Sequence, residues 1–145
     1  MELFPYKQYN IPADTPPENA FPVRYTLYLP IIEIRLRKNS NATKDTAVLI
    51  DSGATHCIFS DKLATILGIG NITNGLLKKI NTAGSGSVDA YFFDIYLEIK
   101  NITVSCYAGF IKGSFPLASG VLGGYDFLNS LRVALNSPAG EIEIG

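Results

Sequence analysis

In the run AVLIDSGATHCIF, residues 47–59, a single carboxylate, Asp51, stands between two apolar stretches and is followed at once by Ser52 and Gly53. Taken alone, an Asp in a turn is commonplace, because its side chain accepts hydrogen bonds from nearby backbone N–H groups. The neighbours change that reading. Val48, Leu49 and Ile50 before it, with Ile58 and Phe59 after it, put the turn inside the domain rather than in water. An ionised carboxylate there is costly without a partner, so a partner or a catalytic task accounts for it. The chemistry open to such a group is general acid–base work, in which one acid draws a proton from water and another delivers one to a carbonyl oxygen.

Short strands position this turn. In IIEIRLRK the residues Ile32, Ile34 and Leu36 alternate with Glu33, Arg35 and Arg37, the period of a half-buried strand. TAVLI and HCIF flank Asp51 as brief apolar strands rich in β-branched residues. A short helix follows, with Ser60 as N-cap, Asp61 in the first turn, Leu63, Ile66 and Leu67 as its apolar stripe and Gly68 at the C-terminal cap. Residues 76–99 read as a hairpin, LLKKINTA and VDAYFFDIYLEI around the tip GSGS, with Phe93, Ile95, Leu97 and Ile99 facing inward. ITVSCYAGFI is a further strand, and KGSFPLASG is a loop. VLGGYDFLNSLRVAL holds a strand end, a short helical segment and another strand, and EIEI closes the chain after the turn NSPAG. Seven or more short strands with two small helices predict an all-β, barrel-like domain. The Pro-rich opening, residues 1–22, reads as an extended arm with little regular structure, and residues 23–145 as the domain.

Composition narrows the function. The 145 residues, 47% hydrophobic and 17% charged, suit one domain able to bury roughly two-thirds of its unfolded surface, so folding requires no metal or disulfide. A net charge of −1, with twelve scattered Lys and Arg, supplies no basic field and argues against nucleic-acid binding. No apolar run approaches the roughly 20 residues of a spanning helix, and no signal-peptide pattern opens the chain, so no membrane association and a cytoplasmic location are expected. One His and two Cys cannot assemble an ordinary zinc site, so neither a metal nor another cofactor is expected. Cys57 and Cys106 read as buried free thiols. The three Asn-X-Thr triplets, at Asn41, Asn71 and Asn101, read as chance.

LIDSGATHCIF resembles the active-site segment of retropepsin-like aspartic proteases, in which an apolar strand delivers Asp-Thr/Ser-Gly-Ala and a second strand leaves. TAGSGS stands where that family has its flap, and GVLGGYDFLNSLRVAL is similar to its second signature, two apolar residues and Gly before a short helix. Order and spacing agree from near Ile31 to the C-terminus. The spacer Gly124-Tyr125 departs from the commoner Leu-Gly-x-Asp-Phe-Leu and shifts the expected helix start. This departure and the start Phe4-Pro5-Tyr6-Lys7 resemble uncharacterised prokaryotic members.

The resemblance implies a closed retropepsin-like β-barrel with one or two short helices and a glycine-rich flap hairpin. It also implies an aspartic endopeptidase with Asp51 as the catalytic acid and Ser52 and Gly53 completing the active-site loop. Asp45, Asp61, Asp89 and Asp94 read as surface or cap residues and Asp126 as part of a helix start, so the second carboxylate would be the Asp51 of a second copy. The implied partners are therefore a second subunit in a homodimer and a peptide or protein substrate. Two carboxylates so placed would share one proton, and activity would favour mildly acidic pH. Ser52 would tie the two active-site loops together. Ala54, Thr55 and His56 would line the substrate cleft, while Ala83, Gly84, Ser85 and Gly86 at the flap tip would fold over bound peptide. Leu122 and Gly123 would pack beneath the Asp51 loop. Ile142 and Ile144 of EIEI would face a joint core in a sheet shared between subunits. For Tyr91, Phe92, Phe93, Tyr96 and Phe110 core packing is expected. Two rival readings stand: a non-catalytic module of the same fold that dimerises or holds a peptide strand, and a lone β-barrel in which Asp51 is only a turn residue.

Overall fold

The computed structural model describes residues 1–10, 26–82, 86–115 and 117–145. Among these lie thirteen strands: β1 (Glu2–Pro5), β2 (Lys7–Asn10), β3 (Thr26–Leu29), β4 (Ile31–Lys38), β5 (Asn41–Ala42), β6 (Thr46–Ile50), β7 (Ile58–Ser60), β8 (Leu76–Thr82), β9 (Gly86–Ile99), β10 (Ile102–Ile111), β11 (Gly120–Leu122), β12 (Val133–Asn136) and β13 (Glu141–Ile144). One helix, α1 (Asp61–Ile66), and short helical turns at Ile72–Asn74 and Gly124–Leu128 complete them. None of the described helices is long and apolar enough to cross a membrane.

The principal sheet runs β5-β4-β6-β11-β7-β10-β9-β8 and closes on itself, because β4 also pairs with β9 at Arg35↔Glu98, Leu36↔Leu97 and Arg37↔Tyr96. The ring β4-β6-β11-β7-β10-β9 is a six-stranded barrel without a free edge, and β8 extends from it as the outer arm of a hairpin. Alternation in β4 puts Ile32, Ile34 and Leu36 inside, where they meet Val48, Phe59, Leu97, Phe110 and Leu122. Ser60 caps α1 as the sequence requires: its hydroxyl accepts from Lys62 N at 3.3 Å and donates to Gly113 O at 2.6 Å. Gly68 takes φ +81°, the left-handed cap conformation. The apolar stripe of α1 differs from expectation. Leu63, Ala64 and Leu67 are buried, whereas Ile66 is half in water. Positions 63, 64 and 67 share one helical face, and with that face turned to the core Ile66 falls on its flank.

The hairpin forms as β8 and β9, paired from Leu76↔Phe92 to Thr82↔Gly86. Its inward face changes along its length. Ala90 and Phe92 are buried together with Ile58 in a small cluster, while Ile95, Leu97 and Ile99 enter the main core from the opposite face. Pairing with β10 stays in one register from Ile102↔Ile99 to Phe110↔Tyr91, so no bulge causes the change. The strand simply leaves one apolar body and joins another. Phe93 is therefore half-buried rather than central, and Tyr96 lies outside with the Arg37 guanidinium 4.5 Å over its ring.

Two further differences concern the termini. Strands β1 and β2 occupy part of the segment expected to lack regular structure, and residues 11–25 lie outside the described residues. A three-stranded sheet, β1-β13-β12, places EIEI in its centre, so both edges of that strand are used within the one chain. Ile142 and Ile144 are buried in this chain's own core and not at a joint between copies. Lys100 secures β1, donating to Leu3 O and lying 4.1 Å from the Phe4 ring centroid.

A paired test follows from the helix and the barrel wall. Leu97→Ala should lower unfolding free energy by about 2–5 kcal/mol in urea titrations. Ile66→Ser should change it by no more than about 0.5 kcal/mol.

Candidate active site

Asp51 ends β6 and begins a tight turn in which Ala54 N donates to Asp51 O at 3.1 Å. Its Oδ1 accepts from Gly53 N at 2.9 Å, which fixes the carboxylate over the turn. A Cβ on Gly53 would stand 3.2 Å from that oxygen, so the smallest residue allows the close approach. Asp51 is half-buried, while Ser52 and Gly53 are exposed at the rim.

A second segment holds this turn from below. Asp51 N donates to Leu122 O at 3.0 Å, Gly124 N to Ala54 O at 2.9 Å and Tyr125 N to Thr55 O at 2.8 Å. Leu122 is fully buried, and a Cβ on Gly123 would lie 2.4 Å from His56 O and 2.7 Å from Ala54 O. Two backbones thus meet where no side chain fits. The helical turn after Gly123 is irregular, as the longer spacer requires. Tyr125 is extended, Asp126 has φ +68°, and Leu128 N and Asn129 N donate five residues back, to Gly123 O and Gly124 O. The Asp126 carboxylate accepts from Tyr107 N at 2.8 Å, tying the turn to β10. Beneath it Cys57 and Cys106 are buried free thiols in contact, with Cys57 Sγ directed at Tyr125 O, 3.6 Å away.

Asp51 opens onto a cleft of about 700 Å³ between this turn and the hairpin. Gly53, Ala54, Thr55 and His56 form one wall; Lys78, Ile80 and Val88 of the hairpin form the facing one. Ile58, Ile111, Phe115 and Val121 make an apolar end, and Tyr125 stands beside His56. A cavity of similar volume, about 690 Å³, lies between the N-terminal strands and β4, and contains none of the residues expected at the active site or in the substrate cleft. Of the flap-tip residues, Ala83, Gly84 and Ser85 lie outside the described residues; Gly86 opens β9 and does not line the cleft.

Sequence patterning did not single out Lys78. Alternation puts it on the same face of the hairpin as Ala90, its cross-strand partner, while Lys79 faces away and pairs with Asp89 at 3.0 Å. Lys78 Nζ donates to His56 Nε2 at 3.3 Å. An ammonium only donates, so Nε2 is the acceptor and Nδ1 carries the proton, which it gives to Thr55 Oγ1 at 2.8 Å. Burial lowers the His56 pKa from its ordinary 6.5, the Lys78 charge lowers it further, and the Asp126 carboxylate opposes both. LLKKINTA carries no clean alternation, so the inner placement of position 78 follows only from its pairing with Ala90 of β9.

No protein-family model matches the chain, and no curated protein matches it in sequence. Among solved structures, the retroviral protease-like domain of Ddi1 from Leishmania major superposes with a TM-score of 0.52 over 79% of this chain and 87% of that one. The fold is retropepsin-like. Sequence identity over the match is 12%, so what the two share is architecture.

Two outcomes test this geometry. Gly123→Ala should destabilise the protein by at least about 1–3 kcal/mol in chemical denaturation, since backbone carbonyls cannot withdraw from a methyl. In NMR titration His56 should protonate below pH 6.5, and Lys78→Met should move its midpoint upward. The unfolded chain takes up this proton first, so stability from the neutral imidazole is present above pH 6.5 and is lost as pH falls toward the folded midpoint.

Proposed function

We propose that the protein is an aspartic endopeptidase whose active unit is a homodimer, with the Asp51 of each subunit contributing one carboxylate to a shared site. The observation that carries this reading is the position of Asp51, held by backbone bonds at the opening of a peptide-sized cleft beneath a β-hairpin, in a retropepsin-like fold. One carboxylate would take a proton from the attacking water while the other gives its proton to the scissile carbonyl, then the roles reverse as the amine leaves. Because one copy supplies only one of these acids, a monomer would be inactive. Ser52 at the rim would meet its counterpart, and Ala54 and Thr55 would run beside an extended peptide. The hairpin would exclude water over the substrate.

A second reading rests on the terminal sheet. The strand expected to join two subunits already has both edges paired within its own chain, which favours a non-catalytic module holding a peptide strand in the same cleft. Under the peptidase reading the joint uses another surface, and the outer edges of β1 and β12, unpaired with any strand among the described residues, are the available strand edges in that sheet.

Incubation with a diverse peptide pool between about pH 4 and 7, alongside mass measurement in solution, separates the readings. The peptidase reading expects a dimer and cleavage that Asp51→Asn reduces by at least about 100-fold. Cleavage that survives Asp51→Asn, or activity from a strict monomer, rules it out. Binding without cleavage supports the module.

A further inference from the structure

We propose that Lys78, buttressed by His56 and Thr55, forms an acidic-side-chain subsite, so that the preferred peptide carries Glu or Asp within two residues of the scissile bond. This deepens the peptidase reading and rests on it for the position of the bond, though not for the binding chemistry.

Besides Lys78, the charged side chains bordering the cleft are Asp51 and Lys79, and the rest of its described lining is apolar or uncharged. Ile58, Ile80, Val88 and Val121 bring no hydrogen-bonding side chain to a ligand. Against that background one ammonium is placed with its direction set. Lys78 sits on the inner face of the hairpin by strand alternation, and its Nζ rests on the His56 ring nitrogen. That contact uses one of three N–H donors and leaves two for a ligand. Among the described residues Lys78 is in no ion pair, in contrast to Lys79, which also borders the cleft but whose charge is met by Asp89. A neutral imidazole orients the ammonium without cancelling its charge. The ring is itself held by Thr55 Oγ1, by Phe92 at 5.3 Å and by Tyr125 at 5.0 Å, so the relay is fixed at its base.

The ligand that completes this arrangement is an anionic acceptor on a peptide. Charge-assisted hydrogen bonds are shorter and stronger than neutral ones. Asp51 on the same floor repels a second carboxylate, so an acidic side chain is accepted at the Lys78 side and disfavoured over the reacting centre. A side chain of Glu length spans more of that gap than Asp and should be the better of the two. Lys or Arg at the same peptide position meets Lys78 and should be rejected.

The test uses C-terminally amidated peptides of one apolar sequence, with Glu, Gln or Lys substituted in turn at the two positions on either side of the cleaved bond. Wild-type protein should cleave the Glu peptide with kcat/KM at least about tenfold above its Gln isostere at one position. Lys78→Met should bring that ratio to near one, and Lys78→Glu should turn the preference toward Lys. Ratios taken within one variant are insensitive to losses of overall activity. Cleavage with no Glu-over-Gln preference, or a preference that Lys78→Met leaves unchanged, overturns the proposal. If no peptide is cleaved, the peptidase reading fails and the subsite is judged by affinity: fluorescence anisotropy with fluorescein-labelled Glu and Gln peptides. At least about tenfold tighter binding of Glu, lost in Lys78→Met, supports it. Equal affinity, or no binding, overturns it.

Discussion

The site depends on one interlock between backbones. Three hydrogen bonds join the turn that begins at Asp51 to residues 122–125, and the two segments approach so closely that position 123 admits no side chain. Hydrogen bonds of this kind each contribute modestly to net stability, but leaving these amides and carbonyls unpaired in the interior would be expensive. The fit is therefore maintained from both sides: the barrel supplies β6 and β11 as parallel neighbours, and the glycines let the strands leave them without separating. Everything that makes Asp51 chemically interesting, its half-burial, its fixed orientation and its access to the cleft, follows from that contact.

Around this rigid floor the cleft is chemically uneven. One end is apolar, made by the small cluster of Ile58, Ala90 and Phe92 with the side chains that pack on it. The other carries a lysine, an imidazole and a hydroxyl in hydrogen-bonded sequence. A strand-like ligand presents alternate side chains to opposite walls, so such unevenness selects residues by position along the peptide rather than by overall character. His56 takes part through its neutral form, which burial beside the rings of Phe92 and Tyr125 favours and the Lys78 charge favours further.

Local patterning made much of this legible. The acid turn, the strands beside it, the Ser60 cap, the Gly68 terminus and the hairpin pairing all follow from nearest-neighbour chemistry, and each appears where its residues indicate. What did not follow were features set by tertiary neighbours. Phe92 and Phe93 are equally apolar, and only the presence of a second cluster decides which is buried. Ile66 belongs to a helical stripe in pattern, but the face of α1 that meets the core is centred on Leu63, Ala64 and Leu67 and leaves Ile66 on its flank. Residues Glu2–Pro5 lack an alternating signature, being recruited by β13 and by the Lys100 side chain, partners more than 90 residues distant. For the same reason EIEI read as an exposed joint: its own alternation is sound, but nothing local reveals that β1 and β12 flank it.

β9 is shared property. Its first half borders the cleft through Val88 and packs Ala90 and Phe92 against Ile58 behind it, and its second half is a stave of the closed barrel, hydrogen-bonded to β4 and β10 together. Such a strand cannot pivot at its base without opening the seam, so the hairpin arm is mechanically a cantilever clamped at Phe92. The lysine at position 78, seated opposite Ala90, lies only one residue beyond the last pair of β9 with β10 at Tyr91, so its backbone is held close to the barrel wall.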